Sequence, residues 1–580
     1  SRSADRGTGH MRRMPEATML RLAAVAAACV AVASGAEDKA FTCPSLPPAM
    51  VEVDSPWYAK KPVVDGAVRF VNGDILKHEG KSVDVTSPIF DGSTGVRALV
   101  GKLAQFTEDQ SVAAVKAAAT AWDRGQGEWP QMSLAQRIEA VENLVAELKK
   151  IRGELVNVLM WEICKTSSDA AKEFDRTMDF VAAAIEEIRA DPTIKQGYSS
   201  WTEVSGVKVQ VRRGPIGVML GLAPFNYPLN EMYAMLIPAL LMGNTCVLKL
   251  PATGGLVHIL TAAAFAKALP RGVVNFVSGS GRKTMPPIMQ TGLVDVFGFI
   301  GGTSAMDALI REHPEPHRLK VFAQLAGKNM GIVLPDADLD AAVKQVVLGA
   351  TSYNGQRCTA IKLVMVHESI ADEFVAKLVA AVAKLKGGLP WEEGVAITPL
   401  PEPNKPAYLE DLVGDALTKG AALANAKEGG GELRGALMTP AIVDRVTPAM
   451  RVFTEEQFGP VVPVAHYSDM ADVHAALKES WNGQQAAIFT RDAEAAAPLI
   501  DALSSQVGRI NINMQCGRSP DSVPFSGRRS SAMGTMSVAE AIRGFSIETA
   551  VVYPASDKAS AAVGEKLSDH SKFLAPVASK

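Results

Sequence analysis

From about Trp57 the hydrophobic and polar positions follow two rhythms in turn. The stretches "SVAAVKAAATAW" and "SLAQRIEAVENLVAELKKIRGELVNVLMWEI" place apolar residues at three- and four-residue steps, which predicts amphipathic helices. After Gly214 the pattern changes. "IGVMLGLAP", "TCVLKLP", "VVNFVSG" and "VDVFGFIG" are short β-rich runs ending in Gly or Pro, separated by helical stretches such as "LVHILTAAAFAKAL". Alternation of this kind predicts an α/β protein with a parallel, doubly wound sheet. A second series begins near Gln324 with "MGIVLP", a helix opened by "DADLDAAV", then "NGQRCTA" and the strand "IKLVMVHE". The late strand "SIETAVVYP" is expected to pair with "KVQVRRG" near residue 210 as a small bridging β element. The polar, Ala/Ser-rich stretch 557–580 reads as a loosely held tail.

Composition narrows the function classes. Lys and Arg number 59 against 62 Asp and Glu, with no sustained basic block, so a nucleic-acid surface has no support and a small-molecule partner is expected. A hydrophobic fraction of 47% belongs to a folded globular chain. Cys29, Cys43, Cys164, Cys246, Cys358 and Cys516 are scattered without a CxxC, which argues against a disulfide framework or thiolate zinc site. Cys164, Cys246 and Cys516 read as packing residues. His313 and His317 mimic a metal spacing, but Pro314 and Pro316 interrupt the helix that would align them, so a solvated loop is expected. Asp336, Asp338 and Asp340 lack an EF-hand loop and read as helix capping. "KEGGGELRG" lacks the strand-to-helix setting of a phosphate loop and reads as a turn.

Residues 1–56 form a separate leader. "MLRLAAVAAACVAVASGA" offers Arg21, an apolar run Leu22 to Ala33 and small residues at Ser34 and Ala36, the layout of a cleavable signal peptide and too short for a membrane span. The following "KAFTCPSLPP" is similar to bipartite plastid leaders of algae with secondary plastids. A cytoplasmic protein with a mispredicted gene start gives the same pattern, so both locations stay open.

A single cysteine is ordinarily a small buried hydrophobe. Around Cys358, however, five segments occur together: "LAPFNYPLN", "LKLP", "FIGGTSA", "GQRCTA" and "EEQFGPVVP". Their order and separations resemble the signature segments of the aldehyde dehydrogenase superfamily, over roughly Trp57 to Pro554. The resemblance implies an aldehyde dehydrogenase-like α/β fold: a cofactor-binding domain at 57–323 with a bridging strand near 200–213, a catalytic domain at 324–535, and an oligomerisation strand at 536–556. It also implies a homo-oligomer, dimer or tetramer. Cys358 falls on the nucleophile and Asn226 on the side-chain amide that, with the cysteine N–H, receives the oxyanion. Gly301 and Gly302 fall on a pyrophosphate-binding helix start, although Met306 stands where the family often has glycine. Glu456 and Phe458 match residues that hold the nicotinamide ribose and ring, and Lys249 matches a contact to the adenosine ribose. Where NAD-specific relatives often place glutamate, this chain has Ala252, followed by Thr253. Nothing acidic there opposes a 2'-phosphate, so NADP is the expected cofactor.

Within the superfamily the resemblance is strongest to the non-phosphorylating, NADP-dependent glyceraldehyde-3-phosphate dehydrogenases. That group holds its substrate phosphate with a tyrosine and several arginines, which fall here on Tyr227, Arg176, Arg357 and Arg518. A guanidinium presents a planar fork of donors suited to phosphate oxygens.

One segment breaks the pattern. The family normally has "ELGGK", whose glutamate activates water against the thioester; this chain has "QLAGK", and 34 residues separate Gln324 from Cys358, the usual interval. An amide is no general base at neutral pH. Three readings follow: a hydrolytic dehydrogenase with water oriented by Gln324; a dehydrogenase that passes its acyl group to coenzyme A, as semialdehyde relatives lacking the glutamate do; and a non-enzymatic nucleotide-binding or structural relative.

Overall fold

The computed structural model describes residues 49–190 and 201–575. Of the leader expected at 1–56, residues 1–48 lie outside them, whereas Met50–Val51 pairs in parallel with Phe90–Asp91 and Val51 is buried, so the last residues of that stretch belong to the fold. Two parallel sheets organise the chain. The first has the order Val274–Val277, Thr245–Lys249, Val218–Leu222, Val296–Ile300, Lys320–Gln324, with Ala532–Met533 added antiparallel at one edge. The chain runs outward from Val218–Leu222 in one direction and then returns to its other side at Val296–Ile300. The carboxyl ends of those two adjacent strands therefore flank a topological switch point, where open α/β sheets receive ligands. Asn226 and Tyr227 follow one of these strands; Gly301 and Gly302 follow the other.

The second sheet has the order Ala422–Leu423, Ala441–Asp444, Val461–Tyr467, Ile361–His367, Asn329–Val333, Gln485–Phe489, Arg509–Ile512, parallel except at its first edge. Its central strands, like Thr245–Lys249, are buried almost throughout, which is why they read as mainly apolar runs. The first sheet ends at Gln324 and the second begins at Asn329, so the "QLAGK" segment is the connection between them.

The predicted helices form at Glu108–Trp122, Leu134–Lys150, Arg152–Glu162 and Leu256–Ala268. Ser133 and Gln136 cap one of them reciprocally. Val207–Pro215 pairs antiparallel with Ser546–Pro554 along nine residues, and Thr202–Val204 lies on its other side. Asp338 accepts from the Ala341 N–H as a helix cap, while Asp336 binds Thr490 and the Arg491 N–H.

Two readings need correction. His313 is buried, its Nε2 3.0 Å from the Val294 carbonyl and its Nδ1 accepting from the Glu315 N–H, whereas residues 314–318 of the loop, His317 included, are exposed as expected. The carboxyl-terminal stretch is not loose along its length. Asp557 caps a helix at Lys558–His570, whose Gly564 carbonyl accepts from Trp201 Nε1 at 3.0 Å. Among the described residues no group of His, Cys, Asp and Glu could hold a metal, and no helix is long and apolar enough to cross a membrane.

Candidate active site

The stretch bearing Cys358 leaves the helix Leu339–Thr351 through a turn in which Tyr353, Asn354 and Gly355 all have positive φ. Gly355 is required there, since a Cβ would stand 2.6 Å from the carbonyl oxygens of Ala350 and Gly459. Asn354 exchanges two 2.9 Å hydrogen bonds with the Thr398 backbone and Tyr353 donates to the Ile163 carbonyl, so the turn is pinned from two directions. The Cys358 carbonyl then accepts from Asn329 Nδ2 and from Lys362 Nζ, each at 2.7 Å. Cys358 is partly covered. Burial pushes the thiol above its ordinary range; Glu231 and Glu456 add to that, while Lys362 and the Gln484 amide oppose it.

Asn226 is buried and donates from Nδ2 to the Gln356 carbonyl at 2.8 Å, two residues before the cysteine. Its loop leads into the helix Pro228–Leu241, whose first N–H groups, those of Leu229 and Asn230, donate to the Glu173 carboxylate at 3.0 and 3.4 Å. Glu173 in turn pairs with the fully buried Lys165, and the Lys165 ammonium stands 3.3 Å from the centroid of the Tyr227 ring. Asn226 and Tyr227 are thus held by an ion pair that the sequence reading did not single out.

The expected phosphate-binding side chains converge, but with acidic partners. Arg176 makes a two-pronged contact with Asp521 at 2.8 and 3.2 Å. Arg518 is buried, donates to Glu231 at 2.7 Å and lies 3.2 Å from the same Asp521. Burial raises the Tyr227 hydroxyl, and the nearby Arg357 charge opposes that shift. Arg357 itself spends Nη2 on the Gly349 carbonyl at 2.8 Å and on Leu348 and Gln515, leaving its Nε buried and unpartnered. Leu348 and Gly349 are in the last turn of the helix Leu339–Thr351, whose negative dipole end attracts the cation.

At the other end, Lys249 closes its strand and donates to the Leu250 carbonyl; burial lowers its ammonium to about 8. Ala252 is exposed and Thr253 half-buried in the loop that follows. That loop is fixed by Glu162, fully enclosed, whose carboxylate accepts from the N–H groups of Gly254, Gly255 and Leu256 at 2.7, 2.9 and 3.1 Å. Gly302 caps the helix Thr303–Glu312 without any side-chain hydrogen bond, and a Cβ built on it would meet nothing within 4 Å. This open, uncapped amino end suits an anion. Met306 is buried in the core beneath it.

Glu456 Oε1 accepts from the Gly327 N–H at 3.1 Å and pairs with Lys362 Nζ at 2.9 Å. Phe458 has φ 44° and meets the Phe225 ring edge-on at 6.0 Å. Gln324 is 1% exposed, and neither atom of its amide has a protein partner, while its own carbonyl accepts from the Gly301 N–H at 3.1 Å. The strand ends carrying Gly301 and Gln324 are therefore directly joined. Lys362, Gln484, Glu162 and the Lys165–Glu173 pair are the site residues that sequence reasoning missed. A charged or amide side chain inside an otherwise apolar run, as Lys362 is in "IKLVMV", was the available signal.

Cys358 thus lies against the connection between the two parallel sheets, with the Asn226 amide bound two residues before it and a glycine-opened helix start at the switch point of the first sheet. The chain belongs to the aldehyde dehydrogenase family, whose profile matches residues 76–551. It is 34% identical to the NADP-dependent glyceraldehyde-3-phosphate dehydrogenase of Streptococcus equinus over 489 residues, covering 83% of this chain and 98% of that protein. The protein of the same description from Arabidopsis thaliana is 32% identical over 478 residues, covering 80% and 90%. The crystal structure of NADP-dependent glyceraldehyde-3-phosphate dehydrogenase from Bacillus halodurans complexed with NADP superposes with a TM-score of 0.76 at 31% identity, covering 85% of this chain and all of that one.

Proposed function

We propose that this protein oxidises glyceraldehyde 3-phosphate to 3-phosphoglycerate with NADP, through a thioester on Cys358. The observation that carries the reading is a chain of ion pairs in which Arg518 pairs with Glu231 and shares Asp521 with Arg176, and the Glu231 charge acts on the Cys358 thiol. With Tyr227 and Arg357 these cations give a phosphorylated aldehyde a place beside the nucleophile. The named relatives point the same way. Residues 57–323 would form the cofactor-binding domain and 324–535 the catalytic domain. The outer edge of strand Ser546–Pro554, with exposed Ile547 and Val552, supports assembly into a homo-oligomer.

The residues present fit the cofactor. Gly301 and Gly302 would take the pyrophosphate at an uncapped helix start, and Lys249, with no carboxylate in ion-pair contact among the described residues, would meet a 2'-phosphate beside Ala252 and Thr253. Glu456 and Phe458 would hold the nicotinamide ribose and ring. When bound, NADP supplies the hydride acceptor that carries the substrate to the thioester level.

The chain supplies the rest. The Cys358 thiol loses its proton to solvent, and the thiolate forms a C–S bond to the aldehyde carbon while the carbonyl electron pair moves to oxygen. The second N–H of Asn226 Nδ2 and the Cys358 backbone N–H receive that charge. Thioester cleavage by water needs a proton acceptor, and Gln324 can orient water without taking its proton; solvent must accept it. This same amide favours a second reading, transfer of the acyl group to the thiol of coenzyme A.

The test is pre-steady-state NADPH formation from glyceraldehyde 3-phosphate with wild type and Cys358→Ser. Loss of the burst in Cys358→Ser supports the reading, and a burst that persists rejects it. Equal kcat/KM for unphosphorylated glyceraldehyde would reject the phosphate assignment.

A further inference from the structure

Cys358 has a second amide beside it, on an element that the reading above does not use. Gln484 immediately precedes strand Gln485–Phe489, which pairs in parallel with Asn329–Val333. The two elements are tied at this end: Gln485 N–H donates to Asn329 Oδ1 at 3.0 Å, and Asn329 Nδ2 reaches the Cys358 carbonyl at 2.7 Å and Gln484 Oε1 at 3.5 Å. The Ser531 hydroxyl accepts from the Gly483 N–H at 2.9 Å and donates to the Ala326 carbonyl at 2.7 Å, so the backbone before Gln484 is fastened to the "QLAGK" connection. Packing there is close. A Cβ at Gly327 would stand 2.9 Å from the Cys358 carbonyl oxygen and 3.4 Å from Gln484 Oε1.

The Gln484 side chain is 1% exposed, and its Nε2 finds no acceptor of normal hydrogen-bond geometry. A buried amide N–H without an acceptor costs roughly 1–3 kcal/mol unless something else at the site recovers it. The residue this amide borders, through Asn329 and the tight approach at Gly327, is Cys358, and the amide acts on its thiol in the direction that favours the anion. A neutral thiol is a poor acceptor and a thiolate a good one, so a donor left idle in the resting state is engaged when the proton leaves.

We infer that Gln484 Nε2 is a second amide donor at the active site, a catalytic residue that hydrogen-bonds the Cys358 sulfur and stabilises it as the thiolate. The inference rests on Cys358 being the nucleophile. The other charged groups around the sulfur are Glu231 on helix Pro228–Leu241, Glu456, Lys362 on strand Ile361–His367 and the neighbouring Arg357. Glu231 and Glu456 oppose thiolate formation, so a neutral donor offsets them without adding charge where hydride must leave.

The experiment is iodoacetamide alkylation of the full chain, read by mass spectrometry on the Cys358 peptide across neutral to alkaline pH. Gln484→Leu should move the alkylation midpoint up by about one pH unit and slow labelling below it by roughly tenfold. Gln484→Glu, which keeps the shape but replaces the donor with a carboxylate, should move it further in the same direction. Both should slow the NADPH burst with little change in KM for NADP, a split that a merely structural loss would not produce. A folded variant of either kind with the wild-type midpoint overturns the inference. Cys358→Ser separates the two layers: if its burst persists, the nucleophile assignment has failed, whereas a Cys358-dependent burst with an unshifted Gln484→Leu midpoint refutes the Gln484 role alone.

Discussion

Arg518 donates to Glu231 at 2.7 Å with both side chains largely buried, so an arginine proposed to take the substrate phosphate is already ion-paired in the free protein. A phosphate entering here competes with a carboxylate that also depresses thiolate formation at Cys358. Glu231→Gln should therefore lower KM for the phosphorylated aldehyde and shift Cys358 alkylation toward lower pH by a few tenths to about one unit. Steady-state kinetics with phosphorylated and unphosphorylated aldehydes check it; equal changes for both would show that Glu231 does not gate the phosphate.

Lys165 and Glu173 form a buried pair that anchors the start of the helix after Tyr227. Burial lowers the Lys165 ammonium and raises the Glu173 carboxyl, and each partner offsets the other's shift. Lys165→Met leaves an uncompensated carboxylate and should destabilise the fold by about 3–5 kcal/mol. Adding Glu173→Gln should recover a large part of that loss. Urea unfolding of the single and double variants measures the coupling, and simple additivity would contradict it.

Lys249 carries a proton below about pH 8 and loses it above, because burial lowers its ammonium from 10.5. An anionic 2'-phosphate favours the charged form, so NADP binding takes up a proton as pH rises past that value. NADP affinity should fall by up to about tenfold per pH unit there, and NAD affinity should change much less. Calorimetric titration with both cofactors checks this. Lys249→Met should flatten the NADP profile, and parallel NAD and NADP profiles would refute the assignment.

Gln324→Glu places a carboxyl where both amide atoms now lack protein partners. If only the base is missing, steady-state NADPH formation should rise by roughly 10²-fold or more while the first-turnover rate stays near that of wild type. An unchanged steady state would mean that the water site itself is rebuilt.

The strands at the switch point were legible because they are buried on both faces. Beside them, "TCVLK" is wholly enclosed and reads as a mainly apolar run. Asn226, Gly302 and Cys358 were marked through the resemblance of their segments to those of a known family, not through local pattern. The polar residues that support them were not marked. Glu162 holds N–H groups more than 90 positions away, and Gln484 comes beside Asn329 only because two strands distant in sequence pair in the sheet. His313 misled for the same reason: local prolines suggested a solvated loop, but its partner is the Val294 carbonyl, 19 residues earlier.

The most direct measurement is the amount of NADPH formed per molecule of enzyme from glyceraldehyde 3-phosphate, followed past the first turnover without any added thiol. The account predicts continued formation well beyond one equivalent, abolished in Cys358→Ser, as water releases the acyl group past Gln324. A single equivalent that stops, and resumes only on addition of coenzyme A, would contradict it.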